Sequence, residues 1–221
     1  FTSKILTTIT NSIFQTSNMK FLNPQIEEDI ANKKLIALHL GSGTDNHKDM
    51  YNLDLIGCDG VDIVANLNEP LDLLPDNSVS YVYSNQTLEH IEKLFDLFGE
   101  LHRVCADGSI LEMQVPHFAN PYYYSDPTHV RFFGLYSMHY FTDQKYQWGR
   151  KVPSYYGETK FILSDAQYVF YRDTVFDHIA GRPISYLVNC SRLTQIIYER
   201  RFCWLFSPSS IKFTLTVSKH S

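Results

Sequence analysis

Short runs of apolar residues recur along the first half of the chain, and each is bounded by Gly, Asp or Asn. The runs predict buried β-strands at 34–40, 50–56, 61–67, 78–84 and 109–115. Before the last of them, apolar residues from Leu88 to Val104 fall at helical spacing, with Thr87 placed to cap that helix. Strands that alternate with helices predict an α/β fold with a doubly wound, Rossmann-like, mostly parallel sheet.

The second half of the chain continues the pattern less regularly. Residues 160–172 predict a strand or hairpin, 211–217 predicts a final strand, and 176–199 predicts a helix. We therefore expect a single domain with four parts. They are helical cover at 1–33, a cofactor-binding core at 34–117, an aromatic-rich acceptor-side insertion or lid at 118–160, and a C-terminal sheet edge with a helix at 161–221.

Composition narrows the class of ligand. The net charge of -5 disfavours a long groove for nucleic acid, so a small molecule is the better expectation. No apolar run approaches the roughly twenty residues of a membrane span. Four cysteines show no CxxC pair and no zinc-type spacing, and they lie among apolar residues as buried thiols do. This predicts a reducing, cytoplasmic setting.

Polar and glycine residues gather where the predicted strands end, which is where ligands bind in such sheets. Gly41-Ser42-Gly43 lets the backbone turn sharply and approach a ligand. Asp54 is suited to accept hydrogen bonds from two ribose hydroxyls, and Asn66 with Leu67 suits an adenine edge and face. These residues predict a ligand that contains a nucleoside.

The segments "LHLGSGT", "NLDL", "SNQTLEHI" and "YYSDPTHVRFF" together resemble class I S-adenosylmethionine-dependent methyltransferases, over about residues 34 to 135. Within that superfamily the chain is most similar to small bacterial methyltransferases that modify cell-surface saccharides or secondary metabolites. The resemblance implies S-adenosylmethionine as cofactor and an antiparallel strand pair at the C-terminal edge of the sheet.

The resemblance also implies which residues contact the cofactor. They are Leu40, Gly41, Ser42, Gly43, Asp54, Asn66, Leu67, Ser84, Asn85, Gln86 and Leu88. Two departures from the family pattern stand out. His39 occupies a position that is often acidic, and only ten residues separate Gly43 from Asp54, so the first crossover helix must be very short or absent.

Transfer of a methyl group to a hydroxyl benefits from a nearby base, and three residues are candidates. His117 follows the fifth predicted strand, and Asp126 and His129 stand at i and i+3 in "DPTH", where Asp126 could orient the imidazole. The same segment also fits an ordinary helix start, with Asp126 or Thr128 as cap and "HVRFFGLYSMHYF" as an amphipathic helix. Both interpretations stay open at this stage.

Acceptor binding and metal binding have candidates in the same region. His90, Tyr123, Tyr124 and Arg131 could contact an acceptor, the tyrosines by stacking and Arg131 by pairing with a phosphate or carboxylate. They could equally be a histidine at a helix start and aromatic residues that pack on the sheet. Some of His90, His117, Asp126 and His129 could hold a divalent transition metal, although their spacing does not require one.

Three other functions compete with methyl transfer. A nicotinamide-dependent oxidoreductase is disfavoured because a third glycine is missing and the acid follows the glycine turn about ten residues too early. A methyltransferase fold that has lost catalysis and serves as a binding module stays open, as does a glycine turn that binds nothing. The sequence favours a methyltransferase for a small or oligomeric acceptor, with a saccharide hydroxyl as the expected target. A homodimer is left open.

Overall fold

The computed structural model describes residues 19–153, 161–175 and 177–219, and these contain an eight-stranded sheet. Its strands are β1 (Lys20–Phe21), β2 (Ile36–Leu40), β3 (Tyr51–Asp54), β4 (Ile63–Val64), β5 (Val79–Asn85), β6 (Cys105–Pro116), β7 (Phe161–Val169) and β8 (Ser210–Val217). Their order in the sheet is β1-β4-β3-β2-β5-β6-β8-β7.

Strands β2 to β6 run parallel, β1 is antiparallel to β4, and β8 lies antiparallel between β6 and β7. The predicted Rossmann-like fold class with an antiparallel C-terminal pair is thereby confirmed. The strand order reverses between β2 and β5, because β3 and β4 extend the sheet on one side and β5 and β6 on the other. This switch point is where ligands bind in doubly wound sheets.

Across the described ranges, four α-helices cover the sheet: α1 (Gln25–Ala31), α2 (Leu94–Val104), α3 (Arg182–Asn189) and α4 (Arg192–Arg201). Single 3₁₀ turns span Leu88–His90, Pro121–Ser125, Ser137–Phe141 and Gln144–Tyr146, and a π-helical turn spans Asp177–Gly181. As predicted, no helix separates β2 from β3. Within the described ranges, no helix has both the length and the apolar character that a membrane crossing requires.

The predicted helix boundaries were wrong at two places. The helix expected from Thr87 begins only at Leu94, because the side chain of Asn68 accepts the N–H of Lys93 at 2.9 Å and fixes the helix start there. The helix expected over 176–199 is broken at Ser191, whose side chain accepts the N–H of Thr194 and caps α4.

The segment expected as an amphipathic helix, "HVRFFGLYSMHYF", is also different. Residues 129–136 form no helix, and only Ser137–Phe141 makes a 3₁₀ turn. Phe133 forms a parallel bridge with His117 instead, which draws the chain out along the end of β6.

The prediction of four buried thiols was half right. Cys105 and Cys203 are buried, whereas Cys58 and Cys190 are exposed, and all four are free. Cys58 is exposed because it lies in the surface loop after β3, where its thiol donates to the carbonyl of Gly43.

Gly41 lets the end of β2 approach the residue after β5 closely. It has a φ of +65°, and a Cβ added there would come within 2.3 Å of the side chain of Thr87. Thr87 is buried and donates its hydroxyl to the carbonyl of Leu40 at 3.2 Å, so it has little freedom to withdraw. Gly43 has a similar φ of +52° but open space where a Cβ would be.

Glu199 of α4 joins three parts of the C-terminal half. Its Oε2 accepts from Nε2 of His117 at 2.9 Å and from the hydroxyl of Tyr168 at 2.7 Å, and its Oε1 accepts from the N–H of Leu135 at 2.9 Å. Burial alone would raise the pKa of Glu199, but these hydrogen bonds outweigh it and lower the pKa below its ordinary value. Ionised Glu199 therefore stabilises the fold.

We expect Gly41→Ala to destabilise the protein by roughly 3 kcal/mol, since left-handed strain and overpacking against Thr87 act together. Gly43→Ala is the matched control, and it should cost about 1 kcal/mol because only the strain remains. Urea unfolding of both variants measures the difference. Equal losses in the two variants would contradict the close approach of Gly41 to Thr87.

We expect Glu199→Gln to lower the free energy of unfolding by roughly 2 kcal/mol at pH 7. Both oxygens of Glu199 accept hydrogen bonds, so the NH₂ group of glutamine must replace one of these acceptors and face a donor. The folded pKa of Glu199 lies below the unfolded value of about 4.3, so the stabilisation is complete above that pH and is lost as pH falls through the folded pKa. Denaturant unfolding from pH 7 to pH 3 should show the two proteins converge in acid. Exposed Glu27→Gln is the control, and a constant gap for Glu199→Gln at every pH would refute the ionised pairing.

Candidate active site

A cavity of about 270 Å³ lies at the switch point, beside the ends of β2, β3, β4 and β5. It is lined by Gly41, Leu53, Asp54, Leu55, Ala65, Asn66, Leu67, Asn68, Gln86, Thr87, His90 and Ile91. Of the predicted cofactor contacts, the structure brings Gly41, Asp54, Asn66, Leu67 and Gln86 together in this wall. The nucleoside site expected at the strand ends therefore corresponds to a real concavity.

The remaining predicted cofactor contacts lie behind or beside the cavity. Leu40 and Leu88 are fully buried core residues, and Ser42, Gly43, Ser84 and Asn85 are not among the lining residues. Their backbones still shape the turns that form the wall.

Asp54 ties the glycine turn to the end of β3. Its Oδ2 accepts the N–H of Gly43 at 2.8 Å, and its Oδ1 accepts the N–H of Ile56 at 3.1 Å. A carboxylate has about four acceptor sites, so two remain for donors from the cavity. That is the arrangement a pair of ribose hydroxyls needs.

Three polar side chains at the adjoining strand ends each contain a buried atom that lacks a hydrogen bond. The hydroxyls of Ser42 and Ser84 and the Oδ1 of Asn85 are buried and have no hydrogen-bond partner among the described residues. Ser84 is the register partner of Leu40, so these groups flank the β2–β5 switch point. Gln86 next to them has a φ of +52°, an unfavourable value for a non-glycine residue that is typical of functional sites.

His39 replaces the acid that the family pattern often has before the glycine turn. It is buried, and burial lowers the pKa of its imidazole, which favours the neutral form. Its Nδ1 lies 3.3 Å from Oδ1 of Asn52, and its ring packs edge-on against His47. This position therefore supplies no negative charge to the cavity.

The segment 128–131 packs on the turn that follows β5. The N–H of Val130 donates to the carbonyl of Glu89 at 2.8 Å, and Nε of Arg131 donates to the carbonyl of Ile91 at 2.6 Å. A second Arg131 nitrogen donates to the carbonyl of Glu92. These bonds place two histidines side by side, with the rings of His90 and His129 centred 4.8 Å apart.

The hydrogen bonds of Thr128 fix the tautomer of His90. Hydrogen bonds from Thr128 hold the pKa of Asp126 below its ordinary value, so this carboxylate can only accept. The single Thr128 hydroxyl hydrogen goes to Oδ1 of Asp126 at 2.5 Å. Nδ1 of His90, 2.9 Å from the same hydroxyl, must then be the donor, which leaves the lone pair of neutral His90 on Nε2.

His129 is oriented in the same manner. Its Nδ1 lies 3.0 Å from the carbonyl of Tyr123, which can only accept, so Nδ1 carries the proton and Nε2 the lone pair. Nε2 lies 3.7 Å from Oδ2 of Asp126. The predicted Asp126–His129 pair is thus close in space, although a turn of the chain brings it together and not a helix.

Glu89 completes this cluster and was not among the predicted site residues. Its side chain is fully buried, and neither carboxylate oxygen has a hydrogen-bond partner among the described residues. Burial raises the pKa of Glu89 to about 7, and the charge of Asp126 adds to the increase. A ligand atom of Glu89 and one of each histidine all lie within 4.8 Å of one another.

Other predicted catalytic and acceptor residues have structural partners. His117 is fully buried, with Nδ1 accepting from the N–H of Ala119 and Nε2 donating to Glu199, so it lacks access to an acceptor. Arg131 is committed to backbone carbonyls. Tyr123 is buried and donates to the carbonyl of Arg131 at 2.6 Å, whereas the ring of Tyr124 is 57% exposed.

Sequence reasoning missed two side chains that organise the site. The sequence presents Glu89 only as part of the segment "SNQTLEHI" and predicts for Thr128 only the role of a helix cap. A charged residue between the apolar Leu88 and Ile91 was the available signal for Glu89, since a buried acid there requires a function or a partner. Nothing in the sequence indicated that Thr128 contacts His90.

A family model described as a methyltransferase domain matches residues 38–113, which run from β2 to β6 and contain most of the cavity wall. No curated protein is significantly similar to the chain.

Among solved structures, the chain is similar to an S-adenosylmethionine-dependent methyltransferase from Archaeoglobus fulgidus, at 16% identity and a TM-score of 0.48, over 87% of this chain and 91% of that one. It is also similar to one from Mesorhizobium loti, at 15% identity and a TM-score of 0.47, over 82% and 90% of the two chains. Residues 38–113 of the chain match a methyltransferase domain, within a sheet of the Rossmann-like class.

Proposed function

We propose that the protein is a class I S-adenosylmethionine-dependent methyltransferase that transfers a methyl group to a hydroxyl of a small or oligomeric saccharide. The observation that supports this proposal best is the histidine pair beside the cofactor cavity. His90 lines the cavity, His129 packs against it, and both have their Nδ1 atoms engaged by oxygens so that Nε2 is the free atom.

The cavity residues fit the cofactor by their chemistry. Asp54 would accept from the ribose hydroxyls, Asn66 and Leu67 would contact the adenine, and the Gln86 turn would lie beside the methionine portion. When bound, S-adenosylmethionine supplies a reactive sulfonium methyl group. The protein's contribution is then chiefly to position the acceptor and to ease removal of its proton.

The cluster of Glu89, His90 and His129 is suited to that second task. A hydroxyl placed against two imidazole Nε2 lone pairs loses its proton more easily than in water. Asp126 lies 3.7 Å from His129, and 44% of its side chain is exposed, so it can pass a proton from the cluster to solvent. The previously expected base His117 has no part in this proposal, because it is buried and bonded to Glu199.

Exposed aromatic rings beside the cluster support a saccharide as acceptor. The ring of Tyr123 packs 4.6 Å from His129 and 4.8 Å from Phe132, and the rings of Phe132 and Tyr124 are 63% and 57% exposed. Exposed aromatic faces next to polar groups are typical of surfaces on which sugar rings stack. The free thiols agree with a cytoplasmic enzyme that modifies a saccharide before export.

We expect Asp54→Ala to abolish detectable binding of S-adenosylmethionine and S-adenosylhomocysteine, since it removes the ribose acceptor and releases the Gly43 turn. Exposed Asp59→Ala is the matched control and should bind as the wild type does. Calorimetric titration with both compounds, and with NADH as a competing ligand, measures this. Tight NADH binding without binding of either methyl compound would refute the proposal.

We expect His90→Asn to reduce methyl transfer by a factor of about 10² or more while leaving cofactor binding intact. His102→Asn is the control, because His102 lies on α2 outside the residues that line the cavity, with its Nε2 3.2 Å from the carbonyl of Ser218. Release of S-adenosylhomocysteine with a panel of mono- and oligosaccharides measures both. Cofactor binding without turnover on any acceptor would favour the catalytically inactive binding module.

A further inference from the structure

We infer that Glu89, His90 and His129 form a binding site for a divalent transition-metal ion at the edge of the cofactor cavity. The inference deepens the proposed function. With an ion bound, the two Nε2 atoms are its ligands, and the ion takes their place as the group that makes the acceptor hydroxyl more acidic. The inference depends on that function only for the role of the ion, and the ion's binding can be measured separately.

Glu89 provides the first argument. A carboxylate that is removed from water and accepts no hydrogen bond is costly, and native proteins rarely keep one without a purpose. A bound cation is the simplest partner that would satisfy both oxygens. Glu199 shows the contrast, because that partly buried carboxylate receives three hydrogen bonds from the protein.

The two histidines provide the second, independent argument. Histidine ligands of metals almost always donate their other ring N–H to a carboxylate, a carbonyl or a similar oxygen, which fixes the tautomer and the ring plane. His129 donates Nδ1–H to the carbonyl of Tyr123, and His90 donates Nδ1–H to Thr128, which is itself bonded to Asp126. Both rings therefore already have the outer partners that such ligands need.

The separations allow binding after a small adjustment. The three ligand atoms lie within 4.8 Å of one another, whereas ligand atoms about 2.1 Å from one tetrahedral ion are roughly 3.4 Å apart. The backbone bond from Val130 to Glu89 holds the two segments together, so the side chains must close the remaining gap. The Glu89 carboxylate has no hydrogen bond to break when it rotates.

The donor set defines the class of ion. Two imidazole nitrogens and one carboxylate suit Zn²⁺, Mn²⁺, Fe²⁺ or Co²⁺ better than Mg²⁺ or Ca²⁺, which prefer oxygen ligands. Three protein ligands leave coordination positions open for two oxygens of a saccharide diol, whose hydroxyls become more acidic next to a cation. Asp126 lies near Nε2 of His129. An ion pair between the two would replace metal binding only if Nε2 carried a proton, since a protonated nitrogen cannot bind a metal.

A second group of potential ligands serves as an internal control. His39, Asp45 and His47 also come within 4.8 Å of one another. Nδ1 of His39 is already near Asn52, and the Asp45 side chain is 72% exposed and can stay hydrated, so no buried carboxylate calls for an ion there. Loss of metal binding in His47→Asn would therefore show that the ion binds to this second set of residues and not to the Glu89 cluster.

The test uses untagged protein that has been treated with a chelator. One titration adds Co²⁺ and monitors its visible absorption, and a second adds Zn²⁺ and measures the heat of binding by calorimetry. We expect one equivalent to bind, and we expect Glu89→Gln and His129→Asn each to weaken binding at least 10-fold. Thr128→Val keeps all three ligands and loses only the orientation of His90, so it should weaken binding about 10-fold. His47→Asn should bind as the wild type does, and the unfolding transition of each variant confirms that it folds.

Two results would overturn the inference: wild-type protein that binds neither ion, or binding that survives Glu89→Gln and is lost in His47→Asn. A parallel titration with S-adenosylmethionine separates this inference from the proposed function. Cofactor binding without Co²⁺ or Zn²⁺ binding would refute the metal site alone. Metal binding without cofactor binding would refute the proposed function and leave the metal site standing.

Discussion

The site depends on one backbone contact between distant parts of the chain, the hydrogen bond from the N–H of Val130 to the carbonyl of Glu89. Arg131 reinforces it by donating to the carbonyls of Ile91 and Glu92. Because all these bonds end on main-chain oxygens of residues 89–92, they fix the 128–131 segment against that turn independently of the turn's own side chains. Thr128 and His129 are thereby held against His90, and the cluster at the cavity edge follows from that placement.

The opposite wall of the cavity is fixed by the glycine turn. Gly41 permits Thr87 to pack directly against the end of β2, and Asp54 holds the N–H of Gly43. Each contact joins the ends of two strands, so the wall is built from the sheet itself and not from a mobile loop. The absence of a helix between β2 and β3 suits a cofactor without a pyrophosphate to bind.

The buried Glu89 and the partly buried Glu199 show how the same residue type takes opposite roles. Hydrogen bonds from His117, Tyr168 and Leu135 lower the pKa of Glu199, so its charge stabilises the fold. Glu89 has no such donors, and burial raises its pKa to about 7. A strongly perturbed acid at the edge of a cavity is characteristic of a functional group, whereas a satisfied one is characteristic of a structural group.

β1 (Lys20–Phe21) lies in a segment predicted as helical cover, so the sequence missed this short edge strand. By itself the sequence determined the other seven strands of the described residues, the Rossmann-like fold class, the glycine turn and the position of Asp54 at the end of β3. These features depend on residues that are neighbours in the chain, where spacing and φ preferences act directly. Only the tertiary structure decided that α2 begins at Leu94, that His117 belongs to the core and that Glu89 is buried without a partner. Each of these outcomes depends on a side chain from a distant segment, Asn68, Glu199 or the 128–131 loop, and local spacing carries no information about which distant groups will meet.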